Sequence, residues 1–250
     1  MKLQFIGTGS ILSDRLSASA LVDGKLLIDT PNGSMKAMRR AGLDISAIDV
    51  CLVTHFHADH FFDIVFLFLE QGLAHPRDSE LVLLGPSGLA ERLGRLFDLA
   101  YPGTWPGIKD KVPPKFVEFG EEGGEWSGRG YSVRALPVQH TVPALGYHVT
   151  DEPGARLGYT GDTAHCPAVD RLAADSAVLA IDTTFPGQGR LGHMGLEEVE
   201  ALADQWPDLR LLPTHLSDDV PVSSRPNIRF PSDGQRFSLD PSGSLTTIGS

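Results

Sequence analysis

The residue types that could do chemistry are densest in THFHADH, residues 54–60. His55 and His57 lie two apart, so on an extended segment both imidazoles project to one side and can share one cation. Asp59 and His60 follow near an expected helix start, adding a carboxylate oxygen and another nitrogen within one turn. Surface histidines in a polar loop would not need this concentration of hard and borderline ligands at a strand end. The motif supplies too few donors to close two metal sites, so the remainder must arrive from later strand ends. Three residues stand where a strand meets a loop: His140 at the end of SVRALPVQH, Asp162 in YTGDT and His215 at the end of RLLPTH. The expected centre therefore comprises His55, His57, Asp59, His60, His140, Asp162 and His215.

The elements that must carry these residues are legible as β-rich runs with glycine or turn punctuation. Strands are expected at LQFIG, SALVDG, KLLID, DVCLVT and LVLLG (81–85), and in the second half at YSVRALPVQH, ALGYHVT, RLGYTGDT, AVLAIDTTF and RLLPTH. Helical composition marks 33–42, a stretch from about Asp59 to Gly72, SGLAERLGRLFDLA and LEEVEALADQW. Residues 101–114, rich in proline and glycine, read as loop. Each half runs strands first and helices after. Two β-rich halves with outer helices imply an α/β fold, a four-layer αββα sandwich, and there is no short fixed repeat that would suggest a solenoid.

With 250 residues, 41% of them apolar, the chain can bury a substantial core as one domain spanning 1–250. The start, MKLQFIGTGS, does not read as an export signal, and no apolar run approaches the roughly 18 residues of a spanning helix. A soluble, cytoplasmic protein without a membrane partner is expected. Cys51 and Cys166 stand alone, which suits a reducing compartment and core positions. The formal charge of -11 opposes extended contact with polyanions, so a long nucleic-acid partner is disfavoured unless bound cations reverse the local sign.

Through THFHADH, His140, the GDT at 161–163 and His215, the chain resembles the metallo-β-lactamase superfamily over nearly its whole length. By that resemblance His55, His57 and His140 hold one metal, Asp59, His60 and His215 the other, and Asp162 bridges them. GTG at 7–9, QHTVPALGY at 139–147, IDTTF at 181–185 and GHMG at 192–195 are most similar to the ribonuclease Z branch. There a glutamate orients a histidine that assists the leaving oxygen; the corresponding positions here are Asp182, one methylene shorter, and His193. Members of that branch usually carry a long RNA-binding arm between the ligands matching His140 and Asp162, where this chain has only 21 residues. A further departure is Asp63, where many relatives have glycine.

The implied activity is two-metal hydrolysis by a metal-bridging hydroxide, most simply of a small phosphodiester or a nucleic-acid end, with Asp59 orienting the water and His193, backed by Asp182, protonating the departing alkoxide. The alternatives are a lactone or thioester hydrolase on the same metals, a tRNA 3'-processing endonuclease, and a non-catalytic metal-binding protein. Zinc is the expected metal, and manganese or iron suit the same donors. His75, His148 and His165 read as structural or surface residues, and Asp29 as either a turn former or an acceptor for a ligand imidazole. Trp105 with its loop, and Arg225 with Arg229, are candidate lids or phosphate clamps. Of Phe61, Phe62, Phe66 and Phe68, some rings would fill the core and others could face a homodimer partner.

Overall fold

The computed structural model describes residues 1–248. In the first sheet, β1 (Lys2–Gly7), β2 (Ser19–Val22) and β3 (Leu26–Ile28) form an antiparallel meander. β4 (Val50–Leu52), β5 (Leu81–Pro86) and β6 (Pro114–Phe119) extend it in parallel from β3. The second sheet holds β7 (Gly124–Gly128), β8 (Tyr131–Val138), β9 (Ala144–Asp151), β10 (Arg156–Tyr159), β11 (Val178–Asp182) and β12 (Arg210–Thr214), the last three parallel. β13 (Arg236–Leu239) and β14 (Leu245–Ile248) return to the first sheet beside β1, giving the order β14-β13-β1-β2-β3-β4-β5-β6.

The central parallel strands β3, β4 and β5 are buried along their whole length, as strands covered on both faces must be. Between the sheets lies one core, including Phe5, Ile28, Leu52, Tyr147, Tyr159 and Phe237. Outside the first sheet pack α1 (Ser34–Arg40), α2 (Ala58–Phe61), α3 (Ile64–Ala74), α4 (Leu89–Ala100) and α5 (Trp105–Lys109). Outside the second pack α6 (Pro167–Asp175) and α7 (Leu196–Gln205). In α4 the buried Leu89, Leu93 and Phe97 recur every four residues, the stripe of an amphipathic helix. The result is the four-layer α/β/β/α sandwich expected from the sequence.

Several elements depart from expectation. Residues 101–114 are not all loop: Pro106 sits in the first turn of α5, where a missing N–H costs nothing. Trp105 is no lid, because its ring stacks on Phe97 at 4.5 Å and meets Phe68 edge-on at 5.2 Å, closing the outer core. The expected helix from Asp59 is two pieces, α2 and α3, parted at Phe62 and Asp63. The break has a cause: Asp63 N donates to Thr30 O at 2.9 Å, and its carboxylate accepts from Met35 N at 3.1 Å, capping α1, whose own N-cap is glycine. The halves are not simple repeats either, since β6, β7, β13 and β14 were not foreseen and the last two rejoin the first sheet. Phe61 and Phe68 are core, while Phe62 and Phe66 are each 47% exposed.

No helix among the described residues is long and apolar enough to cross a membrane. Cys51 and Cys166 are buried and free.

Candidate metal centre

The site forms where the carboxyl-terminal ends of the parallel strands of both sheets meet, the crevice that open α/β sheets offer to ligands. β4 delivers residues 54–60, β10 delivers Asp162, β11 ends in Asp182 and β12 leads to His215. The sheets are stitched together at this edge by Leu145 N donating to Thr54 O at 2.9 Å. Gly161 makes the approach possible: its φ is +61°, and a Cβ there would lie 2.9 Å from Thr54 Cβ.

All seven expected donors converge. His57 Nδ1 lies 3.0 Å from His55 Nε2 and 3.3 Å from His140 Nε2, and these three rings with Asp162 form one cluster. Asp59, His60 and His215 form a second. Asp162 stands between them, its Oδ2 at 3.7 Å from His55 Nε2 and 3.3 Å from both His60 Nε2 and His215 Nε2. A third grouping brings Asp162 and His215 together with Asp182 and His193.

Most of these rings are held from behind so that the other nitrogen faces inward. His60 Nδ1 donates to Asp29 Oδ2 at 2.9 Å, and His140 Nδ1 to Gly192 O at 2.9 Å. His55 Nδ1 meets Thr54 Oγ1 at 3.0 Å, and that hydroxyl donates to Asp29 Oδ2 at 2.8 Å. His215 Nδ1 meets Thr184 Oγ1 at 2.8 Å, which in turn donates to Asp182 Oδ1 at 2.6 Å. Such outer contacts fix the tautomer of a metal-binding imidazole. Asp29 is therefore an acceptor behind an imidazole of the cluster, not a turn former alone, although its φ of +59° shows that it does both.

His193 Nδ1 donates to Asp182 Oδ2 at 2.9 Å, so the shorter aspartate reaches its histidine. Thr163 N and Thr184 N donate to the same carboxylate at 2.9 and 3.1 Å, pulling Asp182 into place. The loop bearing His193 is pinned by Glu198, whose Oε2 accepts from Gly189 N at 2.8 Å and Gly195 N at 2.7 Å.

The electrostatics are those of a cation site. Burial alone would raise the Asp162 carboxyl, yet the charges of His215 and His60 hold it well below the ordinary range. Burial would likewise raise Asp59, but the His215 imidazole 3.7 Å away and the charge of His60 bring it down to about 2. Burial, then the neighbouring His60, pushes His55 well down, and burial lowers His140, leaving both as neutral nitrogen donors. For His60, burial is outweighed by Asp162 and Asp29, which together hold it well above its usual value; the pocket attracts positive charge. His193 is raised, against burial, by its bond to Asp182.

The donor set fits divalent metal. Nε2 of His60 and of His215 are buried without any hydrogen-bond partner, which would be costly unless another ligand completes them. The 3.0–3.3 Å separations among the imidazole nitrogens match the roughly 3.3 Å expected between tetrahedral donors at a zinc–nitrogen bond length.

Over residues 25–216 the sequence matches the family model for the beta-lactamase superfamily domain. The chain belongs to that superfamily. It is ribonuclease Z-like within it: ribonuclease Z of Mycobacterium marinum is 27% identical over 240 residues, covering 86% of each chain, and that of Metallosphaera sedula is 26% identical over 271 residues, covering 87% of this chain and 88% of the other. Among solved structures, the short form of human tRNase Z (ELAC1) superposes with a TM-score of 0.78 at 19% identity, covering 95% of this chain and 99% of that one. A diphosphatase of the PhnP family gives 0.72 at 20% identity, covering 96% and 98%. These likenesses establish the metallo-β-lactamase fold, and the superfamily implies divalent metal at the His/Asp cluster.

In this ribonuclease Z-like chain the stretch from His140 to Asp162 is spent on β9 and β10, with no protruding arm. The candidate phosphate clamps are already engaged: Arg225 pairs with Glu200 and bidentately with Asp204 at 2.8 Å, and Arg229 lies over the Phe237 ring and bonds Thr247. Of the remaining histidines, His75 is exposed at the end of α3, His148 bonds Asp175 O and His165 pairs with Asp170. Sequence reasoning passed over Thr54 and Thr184, although they lie within THFHADH and IDTTF, two motifs it had quoted.

Proposed function

We propose that this metal-dependent hydrolase is a phosphodiesterase acting on small phosphodiesters, with His55, His57 and His140 holding one divalent cation, Asp59, His60 and His215 the second, and Asp162 shared. The observation that carries the reading is the convergence of the seven donors, with two buried imidazole nitrogens left unpartnered. When bound, such cations acidify water toward neutrality and neutralise charge on the phosphoryl oxygens. Zinc suits the nitrogen-rich first cluster best.

Asp59, the least buried of the carboxylates in the two clusters, is placed to orient water and accept its proton. His193 is the proton donor to the leaving oxygen. Its Nδ1–H is committed to Asp182, which leaves Nε2 as the nitrogen that can exchange a proton with substrate, and its side chain is 17% exposed, so it reaches the mouth of the site. A pair of this kind is superfluous for activated esters and needed for poor leaving groups. A small substrate is favoured over transfer RNA by the missing arm and the charge of -11.

The test is a substrate panel on metal-defined protein. Hydrolysis of bis(p-nitrophenyl) phosphate should vanish with chelator and return with added zinc or manganese, while lactones and thioesters turn over poorly. Preferential turnover of the acyl compounds would replace the phosphodiesterase reading, and activity indifferent to chelator would overturn the metal assignment.

A further inference from the structure

A cavity of about 910 Å³ shares His140 with the first cluster and extends away from it, lined by the ends of strands and loops of both sheets. This is large for a bound water network and within the roughly 300–1,000 Å³ range of sites that take small organic molecules. Its walls are mostly apolar and come from separate elements: Phe119 at the end of β6, Pro137, Val142 and Leu145 around the β8–β9 turn, and Cys166 before α6. Arg171 of α6 also lines it, and among the described residues its guanidinium has no carboxylate partner; Nε donates only to Pro167 O, at 3.4 Å. Glu121 is the one acidic residue of the lining.

The cavity is joined to the chemistry through one loop. Gly192 O accepts from His140 Nδ1, and a Cβ at Gly192 would lie 3.0 Å from that nitrogen and 3.3 Å from Thr141 Cγ2. The tight turn Arg190–His193 is thus seated on His140 and Thr141, both of which line the cavity, and it also carries His193. Leu191 at the tip of this turn is held at φ +54° with its side chain 76% exposed. A bulky residue in the left-handed region is uncommon and costs energy, so the surroundings must dictate the turn. The loop that carries His193 therefore borders the cavity at His140 and Thr141.

We propose that this cavity is the subsite for the leaving alcohol, and that the preferred substrates are phosphodiesters whose leaving group is a bulky, largely apolar ring system bearing an acidic or strongly accepting substituent within reach of Arg171. The inference rests on the phosphodiesterase reading for its reaction, but not for its binding. An apolar ring gains from leaving water against Phe119, Val142 and Leu145, and an anionic substituent finds in Arg171 a cation that no carboxylate has claimed.

Two measurements test it. On metal-loaded protein, the methyl diester of 4-methylumbelliferyl phosphate should exceed methyl p-nitrophenyl phosphate in kcat/KM by at least about tenfold despite its poorer leaving group, and Val142→Trp, which fills the cavity from a half-buried loop position, should abolish that preference. Separately, fluorescence titration of metal-stripped protein should show 7-hydroxycoumarin-4-acetic acid binding more tightly than 4-methylumbelliferone, with Arg171→Gln removing the advantage of the acid and Val142→Trp weakening both ligands. If neither ester turns over, the phosphodiesterase reading fails and the titrations alone decide the subsite. Equal rates for the two esters, or titrations unchanged by both substitutions, would overturn the proposal.

Discussion

Asp29 directly follows β3 and Asp182 ends β11, one in each sheet, and they are wired alike. Each accepts one imidazole N–H directly at 2.9 Å, from His60 and from His193. Each also accepts a threonine hydroxyl, from Thr54 and from Thr184, and that threonine meets a second imidazole, His55 or His215. The two units differ in burial. His55, His60 and Asp29 are sealed from solvent, whereas the His193 side chain is 17% exposed. The contrast teaches how one carboxylate–threonine–imidazole unit serves two purposes. In the sealed unit both rings have only the His/Asp cluster to face, an arrangement suited to a carboxylate that holds rings in place. In the open unit one ring faces the cluster and the other faces the mouth, where a proton can be handed on.

The largest expected effect separates the two carboxylates as supports for metal. Asp29→Asn removes the charge behind two ligand rings while keeping a residue type that tolerates φ +59°. Metal affinity, read by competition with a chromophoric chelator, should fall by about 10–100-fold. Asp182→Asn touches only one ligand ring, and through Thr184, so its loss should be several times smaller. Equal losses would erase the distinction between the units.

Turnover should reverse that ranking in a way that depends on the leaving group. His193→Ala, and to a lesser degree Asp182→Asn, should lower kcat/KM for alkyl leaving groups by roughly 100-fold, the scale of a lost general acid, and for nitrophenyl esters by much less. Asp29→Asn should lower both substrate types in parallel and recover with added metal. A uniform loss in His193→Ala would leave that ring without a role in proton transfer.

The contrast also marks what the sequence could and could not reveal. The seven donors were legible because metal chemistry demands particular residue types at strand ends, and the buried β4 run before THFHADH announced where one such end falls. Asp29 was ambiguous, because Asp at the head of DTPNG is also a turn signal, and only the folded β3–β4 pair shows its carboxylate facing Thr54 and His60. Thr54 and Thr184 were invisible as functional residues, since a hydroxyl's role depends on what stands within hydrogen-bond reach. The strands β6, β7 and β14 escaped for a related reason: β6 and β7 mix half-buried with exposed positions, and β14 has no fully buried residue, so their hydrophobic pattern is weak; β13 is only four residues long. Pro106 argued for loop at a position where proline begins a helix. Asp63, a mere departure from relatives by sequence, proves to cap α1 from a neighbouring element.

The smallest and most discriminating comparison concerns the two hydroxyls. Valine preserves the shape of threonine and deletes only the relay. In Thr54→Val, His55 Nδ1–H loses its acceptor and Asp29 loses a donor in a place with no solvent exposure, so the cost should approach the upper part of the ~1–3 kcal/mol range for stranded buried polar groups. Thr184 is 7% exposed, near a mouth that admits water, and Asp182 keeps two backbone donors besides His193; its valine variant should cost about 1 kcal/mol. At roughly 2–4 °C per kcal/mol for a chain of this size, thermal unfolding of the metal-stripped proteins resolves the difference. A larger drop for Thr184→Val would mean that solvent access does not separate the two units, and that the proton-carrying role of His193 must rest on its position beside the leaving group alone.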